Sequence, residues 1–191
     1  MSAPIFQQCF ETRKYGGLPA LAMNWRGAMM NIYCHGEQQV SATLDALHQA
    51  GFNLPESAWD DMAGKRLKTL RKALQDHDVG YGVSRMLETI DLWHAETFAR
   101  GGFAHGQLSC GKQTVTLRWF RSGSRRQQQE VIGPLLPMQM LERLHKLDLL
   151  EQKLGSHLGQ IRKRCADLAA TSKFPPSQDA PQPPFESNQR L

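Results

Sequence analysis

Arg100 and His105, which have four residues between them, carry the two kinds of side chain that metal-independent cleavage of RNA requires. A histidine changes its charge near neutral pH, so it can take the proton of a ribose 2′-hydroxyl, which then attacks the adjacent phosphate. An arginine keeps its charge, and its planar fork matches phosphate oxygens, so it can stabilise the charge that builds on them. The pair therefore predicts a catalytic site with His105 as base or acid and Arg100 as phosphate clamp.

The same pair also has ordinary explanations. The spacing arises easily by chance, and Arg71 and His77 form a similar pair elsewhere in the chain. Arg100 lies four residues after Glu96, and side chains at that distance commonly form an ion pair on a helix surface. His105 stands where a helix is expected to end, and a histidine is favoured beside the negative end of a helix dipole. The spacing alone does not distinguish a catalytic pair from these alternatives, and the composition of the surrounding segment does bear on the choice.

The segment that surrounds the pair is rich in positive charge and in aromatic rings. It has no Asp or Glu between Thr97 and Gln129. Cations bind RNA phosphates, and aromatic rings stack on bases. We therefore predict that substrate-binding side chains lie here, namely Arg118, Trp119, Arg121, Arg125 and Arg126. The alternative is a basic surface loop with Trp119 in the protein core, where aromatic side chains usually lie.

Apolar periodicity places the pair at the end of a helix and directly before a hairpin. Residues 82–105 repeat apolar side chains every three or four positions, which predicts a helix. Alternation with β-branched and aromatic residues through about 107–120 predicts a β-hairpin. An earlier helical segment is expected to end at Gly36, and Pro137 opens the longest helix.

The pattern as a whole predicts a mainly α protein, an up-and-down bundle of four to five helices with a small β-hairpin insertion. Residues 1–18 are expected to form an N-terminal arm, and residues 19–171 the helical domain. Residues 172–191 form a Pro-rich tail with few apolar side chains, and such a tail is expected to be disordered. The predicted core includes Leu67, Leu70, Leu87, Ile90, Trp93, Leu150, Leu154 and Leu158.

The composition of the chain bears on its cellular compartment and on the metals or cofactors that it could bind. The chain has 191 residues, a net charge of +5 and a pI near 9.2, which favours a polyanionic partner only mildly. Its 4 cysteines contain no CxxC pair, and neither a secretory signal nor an apolar stretch of membrane length is evident, so we expect free thiols in the cytoplasm and no membrane partner. Neither a metal site nor a cofactor is expected, because ligand spacings and nucleotide-binding glycine loops are missing from the sequence.

The order of these features resembles the HEPN superfamily. A lysine-rich helix (GKRLKTLRKAL) precedes a long helix that ends in the string ARGGFAHG, and a hairpin and a final long helix follow. The resemblance implies a compact helical domain, commonly dimeric, and a metal-independent RNase of toxin–antitoxin or phage-defence systems, with Arg100 and His105 catalytic. It also implies RNA as substrate and an antitoxin or other regulatory protein as a possible partner.

One position departs from that family pattern. The family usually has Asn, Asp or His directly after the arginine, and this chain has Gly101. Family members without the full motif serve as binding or assembly modules. The alternative function is therefore a non-catalytic HEPN-like module that binds RNA, a nucleotide or a protein partner.

The last helix bears on the oligomeric state. Apolar side chains from Leu147 to Leu168 step by threes and fours without a break. Such a stripe either packs inside its own domain or also pairs with a second copy of the chain. Together with the shared cleft of dimeric HEPN proteins, it leads to the expectation of a homodimer.

Overall fold

The computed structural model describes residues 17–60, 62–77, 82–120 and 129–171. Within those ranges the chain forms four α-helices, one short 3₁₀ helix and a small sheet, which confirms a mainly α protein with a small β insertion. The elements in chain order are α1 (Gly17–Gln49), the 3₁₀ helix (Glu56–Trp59), α2 (Ala63–Asp76), α3 (Val83–His105), β1 (Gln107–Cys110), β2 (Val115–Phe120), β3 (Gln129–Leu135) and α4 (Pro137–Thr171).

Helix α1 continues without interruption through the position where a helix end was predicted. Gly36 lies inside α1 at the point where α3 crosses it closely. The residue is a glycine because a Cβ there would lie 2.2 Å from Cζ2 of Trp93. Beside this crossing the Tyr33 hydroxyl donates to the Glu96 carbonyl at 3.2 Å, and burial raises the pKa of Tyr33. The prediction of a break was wrong, because this glycine serves close helix packing and not a C-terminal cap.

The apolar stripe of α4 packs inside the chain, mainly against α1. His35 Nδ1 lies 2.7 Å from Glu151 Oε1, and further along both helices Arg162 donates to Thr43 Oγ1 at 3.0 Å. These two pairs give α1 and α4 the same direction. The stripe residues that are buried in the single chain are Leu147, Leu154, Leu158, Ile161 and Cys165.

Helices α2 and α3 complete the bundle. The Phe52 and His77 rings pack with centroids 5.0 Å apart, so the C-terminal ends of α1 and α2 lie together. The segment between these helices therefore doubles back along α2, and the hydroxyls of Ser57 and Thr69 meet at 3.0 Å. Helix α3 runs opposite to α1. Six of the eight predicted core residues are buried, namely Leu67, Leu70, Ile90, Trp93, Leu154 and Leu158. The other two, Leu87 and Leu150, are partly buried and pack against the core.

The sheet has one strand more than the predicted hairpin. Strands β1 and β2 form the hairpin within 107–120, and β3 adds to β2 in the antiparallel order β1-β2-β3. The sequence predicts a loop or a third edge strand for SGSRRQQQ (122–129), and β3 begins at the last of these residues, Gln129. Gly133 and Pro134 interrupt the alternating pattern of β3, so the sequence did not place the strand over 129–135. Gly133 has φ 112°, and a Cβ there would lie 2.6 Å from the Val115 carbonyl oxygen, where the pairing shifts register.

The ends of the chain are described only in part. Helix α1 begins at Gly17, so the last two residues assigned to the N-terminal arm are helical. The rest of that arm and the Pro-rich tail lie outside the described residues. Among the described helices, none combines the length and the apolar character that crossing a membrane requires.

Candidate functional site

An open groove of about 740 Å³ lies between the C-terminal half of α3 and the small sheet. The described side chains that line it include cationic, aromatic and amide groups and no carboxylate. They are Thr97, Phe98, Gly101, His105, Gln107, Arg118, Trp119, Phe120 and Gln129. The groove therefore favours an anionic ligand that also has flat apolar faces.

Helix α3 forms one wall with residues that share a face. Phe98, Gly101 and His105 follow one another by three and four positions, which places them in a row along the helix. Phe98 is 55% exposed, and His105 is exposed as well. A Cβ at Gly101 would meet no atom within 4 Å, so this wall has a gap between the Phe98 ring and the His105 imidazole.

The sheet forms the other wall, chiefly through β2. Phe120 is 60% exposed, and Arg118 is exposed with its Nη1 donating to Ser109 Oγ at 3.2 Å. Trp119 is half-buried: its indole lies against α3, where a Cβ at Gly102 would be 2.5 Å from Trp119 Cδ2. Trp119 thus packs β2 against α3 and also lines the groove. It therefore has both a position in the packed interior and a surface that a ligand in the groove can contact.

Arg100 lies on a different side of α3 from the groove. Its Nε is 2.5 Å from Glu37 Oε1, and its Nη2 donates to Glu37 Oε2 at 3.2 Å. Glu96, the partner suggested by spacing, instead lies 3.6 Å from Arg143. The structure therefore brings His105 but not Arg100 to the groove lining, and the catalytic roles of this pair remain a prediction.

A second arginine, Arg26 of α1, holds the end of α3 that carries His105. Its Nε donates to the Phe103 carbonyl at 2.5 Å, Nη2 to Ala104 at 2.6 Å and Nη1 to Gly106 at 3.2 Å. Phe103 and Ala104 lie in the last turn of α3, where carbonyls lack partners within the helix, and Gly106 is its C-cap, so one guanidinium hydrogen-bonds three carbonyls at this helix end. Sequence reasoning missed this residue. Its signal is that Arg26 is the one Lys, Arg, Asp or Glu between Gly17 and Gly36.

Three of the predicted substrate-binding residues, Arg121, Arg125 and Arg126, lie outside the described residues. In the described ranges no three His, Cys, Asp or Glu side chains come together as a metal site. The cysteines described there, Cys34, Cys110 and Cys165, are free thiols.

Comparison with protein-family models, with curated proteins and with solved structures finds no match to this chain. The similarity to HEPN proteins thus rests on the sequence motifs that carry it.

Proposed function

We propose that this chain binds single-stranded RNA in the groove between α3 and the sheet. The observation that supports the proposal is the lining itself, in which Arg118 and His105 accompany exposed aromatic rings and none of the described residues is a carboxylate. Phosphates are attracted to Arg118, and unpaired bases stack on the rings.

The exposed rings favour a single strand over a duplex. Phe98 and Phe120 expose more than half of their surface on opposite walls of one groove. In a duplex each base is already stacked and paired, so its flat faces are not available to such rings. An unstacked strand can present phosphates to Arg118 and base faces to the two phenylalanines at the same time.

The binding proposal is tested by titrating a labelled ten-nucleotide RNA and following fluorescence anisotropy at several salt concentrations. Arg118→Ala should weaken binding about tenfold and reduce the salt slope by about 0.7, the value for one phosphate contact on a single strand. The matched control is Arg85→Ala, since Arg85 is an exposed arginine on the same helix as His105 but outside the groove. Equal losses in both variants would mean non-specific attraction and would contradict a groove site.

A second proposal, metal-independent RNA cleavage of the HEPN kind, is favoured by the exposure of His105 in the same groove. His105 would take the proton of a 2′-hydroxyl, and the freed oxygen would attack the adjacent phosphorus. The P–O5′ bond would break, and the 5′-oxygen would take a proton from solvent water. The products would be a 2′,3′-cyclic phosphate and a 5′-hydroxyl. By the resemblance Arg100 would stabilise the phosphate, and this requires that it leave Glu37 or reach RNA held by another chain. A role in a toxin or defence system, with a regulatory partner, belongs to this second proposal.

An RNA digest in EDTA separates the two proposals. Cleavage by the wild type should fall ~10²–10⁴-fold in His105→Ala, the usual loss on removing a general acid–base group, and RNA without 2′-hydroxyls should resist. Binding without cleavage by the wild type would leave a non-catalytic RNA-binding module. Equal cleavage by wild type and His105→Ala would exclude this histidine.

A further inference from the structure

The wall of the groove that α3 provides has a notch above Gly101. Phe98 and His105 stand on either side of it, about 10 Å apart along the helix axis. The missing side chain leaves that interval open, since a Cβ at Gly101 would have no atom within 4 Å. The Phe98 ring is held in place by the His94 imidazole, with centroids 5.3 Å apart and the rings nearly perpendicular.

The dimensions of the notch suit one flat ring. Aromatic groups pack with centroids about 4.5–7 Å apart, so a ring between two others needs about 9–14 Å in all. The axial rise from Phe98 to His105, about 10 Å between the two backbone positions, falls in that range. Across the groove stand Phe120, which is 60% exposed, and Arg118, a cation for the phosphate of the same nucleotide.

We propose that this notch is a pocket for one unpaired nucleobase, which lies on the backbone at Gly101 between Phe98 and His105. The inference rests on the proposed binding of single-stranded RNA and assigns the base-recognition step to one place. Gly101 is then a specificity-determining residue, because any side chain there would occupy the space of the base.

The variant that tests this pocket fills it without harming the fold. Gly101→Leu adds a side chain in open space, and leucine favours a helix interior more than glycine does, so the melting temperature should stay equal or rise. Gly27→Leu is the matched control, since Gly27 is an exposed helical glycine, also has no atom within 4 Å of a Cβ, and lies outside the groove lining.

Two probes of equal charge separate the base pocket from phosphate binding. One is a ten-nucleotide RNA, and the other is the same sugar–phosphate chain without its bases. The wild type and Gly27→Leu should bind the intact RNA at least tenfold more tightly than the chain without bases. Gly101→Leu should bind both probes equally, with the affinity that the wild type has for the chain without bases. Arg118→Ala should weaken both.

The outcomes that overturn the inference differ from those that overturn the function. If Gly101→Leu keeps the wild-type preference for bases, the pocket is wrong while RNA binding stands. If the wild type binds neither probe at low salt, the proposed function itself fails. An equal loss of preference in Gly27→Leu would show that the effect does not come from the notch.

Discussion

Arg100 and His105 are five residues apart on α3, and this separation places their side chains on different faces of the helix. Five residues turn an α-helix through about 140° from the starting direction. Because α3 remains helical through His105, Arg100 faces α1 while His105 lines the groove. Within one chain, Arg118 therefore provides a permanent positive charge in the groove, whereas Arg100 forms an ion pair with Glu37.

That ion pair is expected to contribute to stability. The Arg100 side chain is 36% exposed and that of Glu37 only 14%, so solvent screens the pair less than it screens an exposed one. Arg100→Gln and Glu37→Gln should each lower the free energy of unfolding by about 1–2 kcal/mol, between the values for exposed and buried pairs. The double variant should lose less than the sum, as urea denaturation of all three proteins would measure.

The control for this cycle is Arg143→Gln, because the Arg143–Glu96 pair is longer, at 3.6 Å, and both its side chains are about a third or more exposed. Its loss should stay within about 0.5 kcal/mol. Strictly additive losses at Arg100 and Glu37 would contradict the coupling. A tenfold loss of RNA affinity in Arg100→Gln would show that this arginine leaves Glu37 to contact RNA.

Most helices and the hairpin could be predicted because their signals are local. Apolar spacing and turn residues reveal α2, α3, α4 and the β1–β2 pair, and they place His105 at a helix end. Other features depend on contacts between distant segments. A glycine is needed at position 36 inside α1 because Trp93 of α3 lies against it. Strand β3 pairs with β2 across a register shift that cannot be read from the sequence of β3 alone.

The candidate site follows the same division. His105 was predicted from its spacing to Arg100, and Arg118 and Trp119 from charge and aromatic content; all three line the groove. Phe98 and Phe120 were not predicted as site residues, since their exposure is a property of the folded chain and an apolar residue on a helix or strand usually packs inward.

At the scale of the helix, Arg26 is expected to hold the end of α3 in place. Arg26→Met would leave the Phe103, Ala104 and Gly106 carbonyls without its hydrogen bonds, all 3.2 Å or shorter. Hydrogen bonds to a charged group contribute about 1.5–3 kcal/mol, so we expect a loss of about 2–3 kcal/mol once water replaces part of them. Urea denaturation would measure the loss, and amide hydrogen exchange should accelerate most at the end of α3.

Arg85→Met provides the comparison, because it removes an exposed arginine near the other end of the same helix. Its unfolding free energy should change by less than about 0.5 kcal/mol. A loss in Arg26→Met no larger than this, or faster exchange spread evenly over α3, would contradict a capping role.

At the scale of the whole molecule, some cations are paired with carboxylates of the same chain, whereas Arg118 in the groove bonds a neutral group. The chain carries a net charge of +5, but Lys65, Arg71, Arg100 and Arg143 each lie beside a carboxylate of the same chain. Arg118 contacts a serine hydroxyl, which leaves its charge uncompensated by that contact. Arg118 therefore supplies an uncompensated positive charge to the groove in which Phe98 and Phe120 are exposed.

The oligomeric state depends on which of the two functions holds. The stripe of α4 packs on α1 within one chain, so it no longer supports a homodimer, and the shared cleft of HEPN proteins remains the reason to propose one. If cleavage needs two chains, light scattering at micromolar concentration should give twice the 21.5 kDa of one chain, and mixing His105→Ala with Arg100→Ala protein should restore some cleavage. The proposed RNA-binding groove is formed by a single chain, so under that proposal a monomer should still bind RNA. A monomer that cleaves RNA, at a rate proportional to protein concentration, would contradict the shared site and would require Arg100 to act with His105 in one chain.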